Sequence, residues 1–340
     1  MKRKLAAFDI EIARPLPSGD WMMAPFFGIS CVGLMIDGDT GPTIFHPNDG
    51  QALPLPGQPY RLEMSDSQIR DIALLLLSLA NDGYEIVSWN GLGFDYPAIA
   101  KGARDPDVAA RLARLALEMY DPGFQQVCKM GYMVKLAKIA EALGVGSKTA
   151  GMSGALAPVL WSAVWPEEDA MRPESRQKLD ANVAALLARG IQPGTRQAHD
   201  LVLEYVGQDA RLTLDVYIRM LQVRATKWVT ARGTLSRNPW RPTMVQTTQG
   251  PRMLKAWEAM GQPVPDTSWM TGGARPREAY YGWTIDALGV EAWEDIVESR
   301  PTPFGPSARQ ILAERAAYPD VPEGPPDWPS QEPPAGDGLL

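Results

Sequence analysis

Histidine and cysteine are scarce in this sequence. Among its 340 residues there are two histidines, His46 and His199, and two cysteines, Cys31 and Cys128. So few histidines argue against a histidine-rich zinc site, and so few cysteines argue against a framework of disulfide bonds. It fits a protein of a reducing compartment, so we expect a cytoplasmic location.

Long hydrophobic runs are missing as well. The longest nearly continuous apolar segment, residues 72–80, is far shorter than the roughly 20 residues that a membrane-spanning helix needs. Asp9 and Glu11 interrupt the apolar stretch near the amino terminus, which is unlike the core of a signal peptide. We therefore expect no interaction with membranes.

Basic residues are fewer than acidic ones, 33 against 40, which gives a formal net charge of −7. Residues 316–340 contain five acidic residues and no basic one, so residues 1–315 carry a net charge of only −2. A nearly neutral body argues against a protein that coats long nucleic acids through a basic face, but it allows one that binds a short end. Residues 301–340, which hold ten of the 31 prolines, are expected to form a mobile acidic tail.

Predicted strands come first along the chain, and predicted helices follow. Apolar and β-branched residues indicate strands over 4–12, 28–36, 42–45 and 84–89. Helical patterns cover 65–80, 95–102, 106–119, 136–143, 176–188 and 199–230. This order predicts an α/β fold, with a mixed sheet flanked by helices.

The predicted division of the chain has one main domain and a small addition. We expect the main domain to cover residues 1–235, with an insertion of one helix over 164–197. Residues 238–290 contain four tryptophans, Trp240, Trp257, Trp269 and Trp283, so we expect residues 236–300 to form a C-terminal extension packed on the main domain.

Two carboxylates stand close together in the first predicted strand. Asp9 and Glu11 are two residues apart, so they share one face of the strand, roughly 6–7 Å from each other. An amphipathic strand with both carboxylates in water is the alternative. The strongly apolar composition of 4–12 favours a central strand instead.

A second polar group follows the predicted strand over 84–89. The residues from Asn90 to Asp95 read Asn-Gly-Leu-Gly-Phe-Asp. An Asn-Gly pair is also typical of a hairpin turn, but no alternating partner strand follows here. A strand, a tight turn and a helix would place Asp95 at the carboxyl end of the strand, where sites of open α/β sheets gather.

A third pair lies in the predicted helix 199–230. Tyr205 and Asp209 are four residues apart and therefore occupy one helix face, about 5–6 Å from each other. Such pairs are also common on solvated helix faces, so this pair is informative only together with the other acidic residues.

The motifs Asp-x-Glu, Asn-Gly-x-x-Phe-Asp and Tyr-x-x-x-Asp, in this order, resemble the tyrosine subtype of the DEDD superfamily of 3′–5′ exonucleases. Segments 131–136, 147–152 and 157–161 are most similar to stand-alone proteins related to the exonuclease domain of family B DNA polymerases. The resemblance covers about residues 4–222. It implies an RNase H-like fold and hydrolysis of single-stranded or frayed 3′ ends with release of nucleoside 5′-monophosphates, and it favours DNA over RNA as the substrate.

The resemblance also implies a site for two Mg²⁺ or Mn²⁺ ions. Phosphodiester hydrolysis benefits from two divalent ions about 3.5–4 Å apart, and such hard ions take carboxylate oxygens. Asp9 would bridge both ions, and Glu11 and Asp209 would complete the first ion's ligands. Asp95 would hold the second ion. Tyr205 would orient the attacking water by a hydrogen bond.

Contacts with the nucleic acid are marked less clearly. Phe94 is a candidate for stacking on the terminal base, and Asn90 is a candidate for contact with the same nucleotide. Lys148 is a candidate for a phosphate contact, although lysines are usually solvated. The resemblance adds Ile10 and Ile12, although a threonine is frequent at the position of Ile12.

Two alternative functions stay open at this point. An exoribonuclease that trims RNA 3′ ends would use the same residues, since no sequence feature reads out a 2′-hydroxyl. A protein that keeps this fold only to bind nucleic acid is the other alternative, although all four carboxylates are present.

Overall fold

A computed structural model of the chain shows a mixed β-sheet at the centre. The residues it describes are 3–16, 21–48, 61–167, 171, 173–230, 233–239, 244–248, 250–268, 270 and 276–298. The predicted tail over 301–340 lies outside them. Four strands form the central sheet in the order β3–β2–β1–β4: β1 (Lys4–Ile12), β2 (Ile29–Ile36), β3 (Thr43–Phe45) and β4 (Tyr84–Val87).

The strand that carries the Asp-x-Glu motif lies inside the sheet. β1 pairs with β2 in antiparallel and with β4 in parallel orientation, and its predicted bounds are those observed. Because β1 and β4 run in the same direction, their carboxyl ends meet at one edge of the sheet. The predicted α/β class, with a mixed sheet and flanking helices, is confirmed.

Helices cover both faces of this sheet. They are α1 (Asp66–Asn81), α2 (Asp95–Gly102), α3 (Pro106–Glu118), α4 (Pro122–Met130), α5 (Leu136–Leu143), α6 (Ala157–Ser162), α7 (Pro173–Leu187) and α8 (Arg196–Val223). The helix α1 begins where expected, because Ser65 accepts the backbone N–H of Gln68 in a capping box. The helices α4 and α6 were not predicted. Among the described residues, no helix combines the length and the hydrophobicity that crossing a bilayer requires.

The longest helix ends earlier than the pattern 199–230 predicts. It runs from Arg196 to Val223, and Arg224 then adopts a left-handed conformation with φ of 53°. The following residues, Ala225–Val229, form strand β5, which pairs with β6 (Leu235–Pro239). Pairing of β5 with β6 thus prevails over the helical sequence pattern after residue 223.

Alternation along β1 separates the two faces of the sheet. Ala6, Phe8 and Ile10 pack with helices α1–α3 in the largest core cluster. Leu5 and Ala7 pack on the other face, with residues of α5 and α8. Because side chains alternate along a strand, the next residues on that second face are Asp9 and Glu11. Both lie beneath α8. The strand is therefore apolar on one side and becomes acidic on the other where it approaches its carboxyl end.

Two glycines let α8 approach the sheet closely. A Cβ at Gly33 of β2 would lie 2.6 Å from the carbonyl oxygen of Val206, and Gly33 pairs with Asp9. A Cβ at Gly207 of α8 would lie 2.7 Å from the Cδ1 of Ile44. Since neither position has room for a side chain, the close approach depends on both glycines.

The C-terminal residues share the core of the main sheet. They form β7 (Met244–Thr247), β8 (Gly250–Met253), α9 (Ala256–Met260), α10 (Glu278–Leu288) and α11 (Val290–Glu298). Trp257, Tyr280 and Trp293 belong to the same buried cluster as Phe8. The predicted boundary at residue 235 falls within the β5–β6 hairpin, and the division into domains stays a prediction.

Candidate metal centre

Three carboxylates converge between β1 and α8. One oxygen of Asp9, one of Glu11 and one of Asp209 all lie within 4.8 Å of one another. Glu11 and Asp209 are buried and Asp9 is half-buried. The four-residue spacing in α8 places Tyr205, which is 1% exposed, one helical turn before Asp209 and on the same face.

A lysine from a distant loop completes this group. The Lys148 ammonium forms an ion pair with Asp209 and donates to the Tyr205 hydroxyl oxygen at 3.1 Å. The loop that carries Lys148 is held along α8, since the Gln208 side chain donates to the Ser147 carbonyl at 3.3 Å. The Lys148 side chain keeps 28% of its surface exposed and so connects the cluster with solvent.

Mutual repulsion and burial oppose ionisation of the cluster. Burial raises the pKa of Asp9 well above its ordinary value, and the charges of Asp95, Asp209 and Glu11 raise it further. Burial raises the pKa of Asp209 as well, while Lys148 opposes this. The Oδ1 of Asp209 is buried and has no hydrogen-bond partner among the described residues. One ammonium thus faces three carboxylates, and the site lacks positive charge.

Asp95 approaches the same region from the end of β4. It opens helix α2, and its Oδ1 accepts the backbone N–H of Ile10, between the two β1 carboxylates, at 2.9 Å. Burial raises the pKa of Asp95 to about 8, against the hydrogen bond from Ile10. Asp95 is not part of the three-carboxylate cluster, but it neighbours that cluster through the Ile10 peptide.

The turn from β4 into α2 needs special backbone geometry. Asn90 has a φ of 67°, which asparagine tolerates better than most residues. A Cβ at Gly91 would lie 1.9 Å from the Ser88 Oγ, so only glycine fits there. The Tyr96 N–H donates to the Gly91 carbonyl at 2.9 Å and ties the turn to the first turn of α2.

Asp121 is a further acidic residue of this region, at a position where the resembling sequences also carry one before a helix, and only the structure shows what it holds. It is fully buried and accepts the N–H groups of Asn90 and Leu92, at 2.9 and 3.1 Å. Its carboxylate also caps α4 by accepting the Phe124 N–H at 2.9 Å. The Asp-Pro pair at 121–122 is a recognisable helix start, but no local pattern links it to the turn at Asn90.

The candidate substrate contacts occupy different environments. The Oδ1 of Asn90 is buried and has no hydrogen-bond partner among the described residues. Phe94 is partly buried against the main core, and Lys148 lies in the cluster itself. Ile10 and Ile12 are both buried, Ile10 within the core. Contact of these five residues with nucleic acid stays a prediction.

The residues of this centre suit a divalent cation. All donors in the cluster are carboxylate oxygens, which Mg²⁺ and Mn²⁺ prefer over the softer metals' sulfur and imidazole ligands. The excess of buried negative charge favours binding of a cation. The unpartnered Oδ1 of Asp209 is available as a ligand atom. Asp9, Glu11 and Asp209 are therefore fit to hold such an ion.

Comparison with known families agrees with the fold. Residues 59–221 match a family model described as the RNase H superfamily. The match includes Asp95, Lys148, Tyr205 and Asp209, whereas β1 with its two carboxylates lies before it. The RNase H-like fold expected from the motifs is thereby confirmed. No match was found among curated proteins.

Proposed function

From an RNase H-like fold with an internal carboxylate cluster, we propose that this protein is a metal-dependent 3′–5′ exonuclease of the DEDD tyrosine subtype. The observation that carries the proposal is the meeting of Asp9, Glu11 and Asp209 oxygens within 4.8 Å, with Tyr205 beside them. These residues are about 200 positions apart in the chain, so their convergence is a property of the fold. The small number of cysteines, two in 340 residues, fits the cytoplasmic location that we propose with it.

We assign the carboxylates to the binding of two Mg²⁺ or Mn²⁺ ions. Asp9, Glu11 and Asp209 would hold the first ion, with Asp9 shared, and Asp95 would hold the second. When bound, such ions activate water and stabilise the leaving oxygen of a phosphodiester. The protein itself contributes by holding these carboxylates close together.

Tyr205 is assigned to orienting the attacking water. Burial raises the pKa of its phenol well above the ordinary value, and the negative charge of Glu11 adds to this. The phenol is therefore neutral and keeps its hydrogen while it accepts from Lys148. In the metal-free site the phenol also hydrogen-bonds Asp209, so it would donate to a water molecule once an ion takes that carboxylate. Tyr205 thus acts as a hydrogen-bond donor and not as a base.

Lys148 is assigned to the substrate phosphate. An ammonium has three hydrogens, and its partners Asp209 and Tyr205 take two of them. The third hydrogen and the exposed part of the side chain face an approaching phosphate. The single positive charge of the cluster therefore lies where a negative substrate enters.

Digestion of a single-stranded DNA oligonucleotide labelled at its 5′ end tests the proposal. With Mg²⁺ or Mn²⁺ we expect a descending ladder, and with a chelator no cleavage. Asp209→Asn should abolish the ladder, because an amide cannot replace the charge of a carboxylate ligand. Asp200→Asn on the exposed side of the same helix is the matched control and should leave cleavage unchanged.

The substrate and the alternatives are decided in the same assay. A circular single strand should stay intact, since an exonuclease needs an end, and matched DNA and RNA oligonucleotides separate the two nucleic acids. A protein that binds the oligonucleotide and leaves it intact with either metal would instead be a binding module.

A further inference from the structure

The backbone of Leu92 is held at both its N–H and its carbonyl by residues outside the exonuclease motifs. Its N–H donates to Asp121 at 3.1 Å, and its carbonyl accepts the indole N–H of Trp283 at 2.7 Å. Leu92 is fully buried, so water does not compete for these groups. Leu92 lies three residues before Asp95, within the tight turn that leads into α2.

Trp283 comes from the opposite end of the chain. It lies in α10, 191 residues after Leu92, and packs against the same core as Phe94. The α10 helix is fixed to that core through Tyr280, Tyr281 and Ile285, all of them buried. The indole N–H of Trp283 thus donates to the turn from a helix that is firmly packed on the core.

The orientation of this turn decides where Asp95 points. The Tyr96 N–H donates to the Gly91 carbonyl, so the turn and the first turn of α2 move together. A rotation of the backbone at Leu92 would therefore shift the start of α2 and, with it, the carboxylate that faces the Ile10 N–H. Asp121 holds the peptide before the Leu92 Cα, and Trp283 holds the peptide after it.

We propose that Trp283 is a positioning residue for Asp95, by which the C-terminal extension controls binding of the second metal ion. This rests on the proposed function only in the assignment of Asp95 to the second ion. The extension thereby becomes part of the metal centre without contributing a ligand. Residues that orient metal ligands commonly change metal affinity about 10- to 100-fold when they are replaced.

The test is a Mn²⁺ titration of the full chain by calorimetry, with Trp283→Phe, which keeps an aromatic ring but removes the N–H. We expect wild type to bind two Mn²⁺ ions and the variant to bind one of them about tenfold less tightly, with the other unchanged. Cleavage by the variant should then need about tenfold more Mn²⁺ and recover at saturation.

Trp293→Phe is the matched control. It removes an indole N–H that donates to Thr284 at 3.1 Å, within the same extension and not to the turn. If both variants lose affinity equally, or if Trp283→Phe binds Mn²⁺ like wild type, the inference is wrong. A wild type that binds fewer than two ions also overturns it.

These outcomes are distinct from failure of the exonuclease proposal. A wild type that binds two ions but leaves every 3′ end intact rejects the exonuclease, while the effect of Trp283→Phe on binding still decides the inference. Conversely, a normal ladder with unchanged Mn²⁺ binding in the variant rejects the inference alone.

Discussion

Lys148 has two opposing effects on the carboxylate cluster. Its ammonium neutralises part of the charge of Asp209, which makes the metal-free site less unfavourable. The same ammonium occupies an oxygen of Asp209 that a cation would use. It therefore competes with metal binding while it offers a positive charge to a phosphate.

Lys148→Met should bind Mn²⁺ more tightly than wild type at alkaline pH, because a competing cation is lost where the carboxylates are ionised. Cleavage at saturating Mn²⁺ should nevertheless be slower, since the phosphate loses its partner. Calorimetry and the oligonucleotide assay measure the two effects. Lys178→Met on the exposed side of α7 controls for the change in net charge, and weaker Mn²⁺ binding by Lys148→Met would contradict the prediction.

His199 is a buried residue of the first turn of α8 with a structural part. Its ring Nε2–H donates to the Trp161 carbonyl at 2.7 Å, and its ring lies 4.5 Å from that of Trp161. Burial lowers the pKa of His199 below the ordinary 6.5, against the effect of the Trp161 carbonyl. The folded protein therefore prefers the neutral ring.

The stability that His199 contributes is present above pH 6.5 and lost as the pH falls through its lower folded pKa, since the unfolded chain takes up the proton more readily. His199→Gln should therefore lose less stability than wild type on acidification. Urea unfolding at a series of pH values measures this. Parallel stability curves for the two proteins would refute the prediction.

The metal centre depends on how closely the elements α8 and β2 pack. Gly33 lies opposite Asp9 in the sheet and beneath the backbone of α8 at Val206. Any side chain there would push α8 outward and separate Asp209 from the β1 carboxylates. The packing of these two elements is thus as important for the site as its ligands.

Gly33→Ala should destabilise the protein by about 1–3 kcal/mol, because the new Cβ would meet a backbone oxygen that cannot turn aside. It should also weaken Mn²⁺ binding, since the carboxylates move apart. Gly41→Ala is the control, because nothing lies within 4 Å of its Cβ position. Equal urea midpoints for the two variants would show that α8 does not pack so closely.

Over the whole molecule, folding concentrates negative charge that Lys148 relieves only in part. Four acidic residues from β1, α2 and α8 meet in one region although the body of the chain is nearly neutral. Their raised pKa values mean that the metal-free fold loses stability as the pH rises and they ionise. Bound metal should reverse this loss.

Mn²⁺ should therefore raise the melting temperature, by the equivalent of about 2.7 kcal/mol at 100 times its dissociation constant. The increase should be larger at neutral than at acidic pH, because the ligands must lose their protons first. Differential scanning calorimetry with Mn²⁺ or chelator measures it. Asp9→Asn should show little increase, and a wild type without any increase would count against the metal centre.

Local patterns of the sequence determined the strand and helix that carry the motifs. Period two in β1 places Asp9 and Glu11 on one face, and the spacing of four places Tyr205 and Asp209 on one turn of helix, because both are properties of neighbouring residues. The mixed sheet followed from the order of these patterns. The hairpins and helices after residue 223 were not predicted, because these segments are short and have weak patterns of their own. They are stabilised by packing on the rest of the protein.

Only the tertiary structure decided what the further residues around the motifs contact. Lys148 reaches Tyr205 across 57 positions, and Trp283 reaches Leu92 across 191. Contacts at such separations leave no periodic trace in a sequence, since they arise when the loops and helices that carry them are packed on one core. The sequence therefore determined the ligands that we propose, while the fold alone determined what holds them in place.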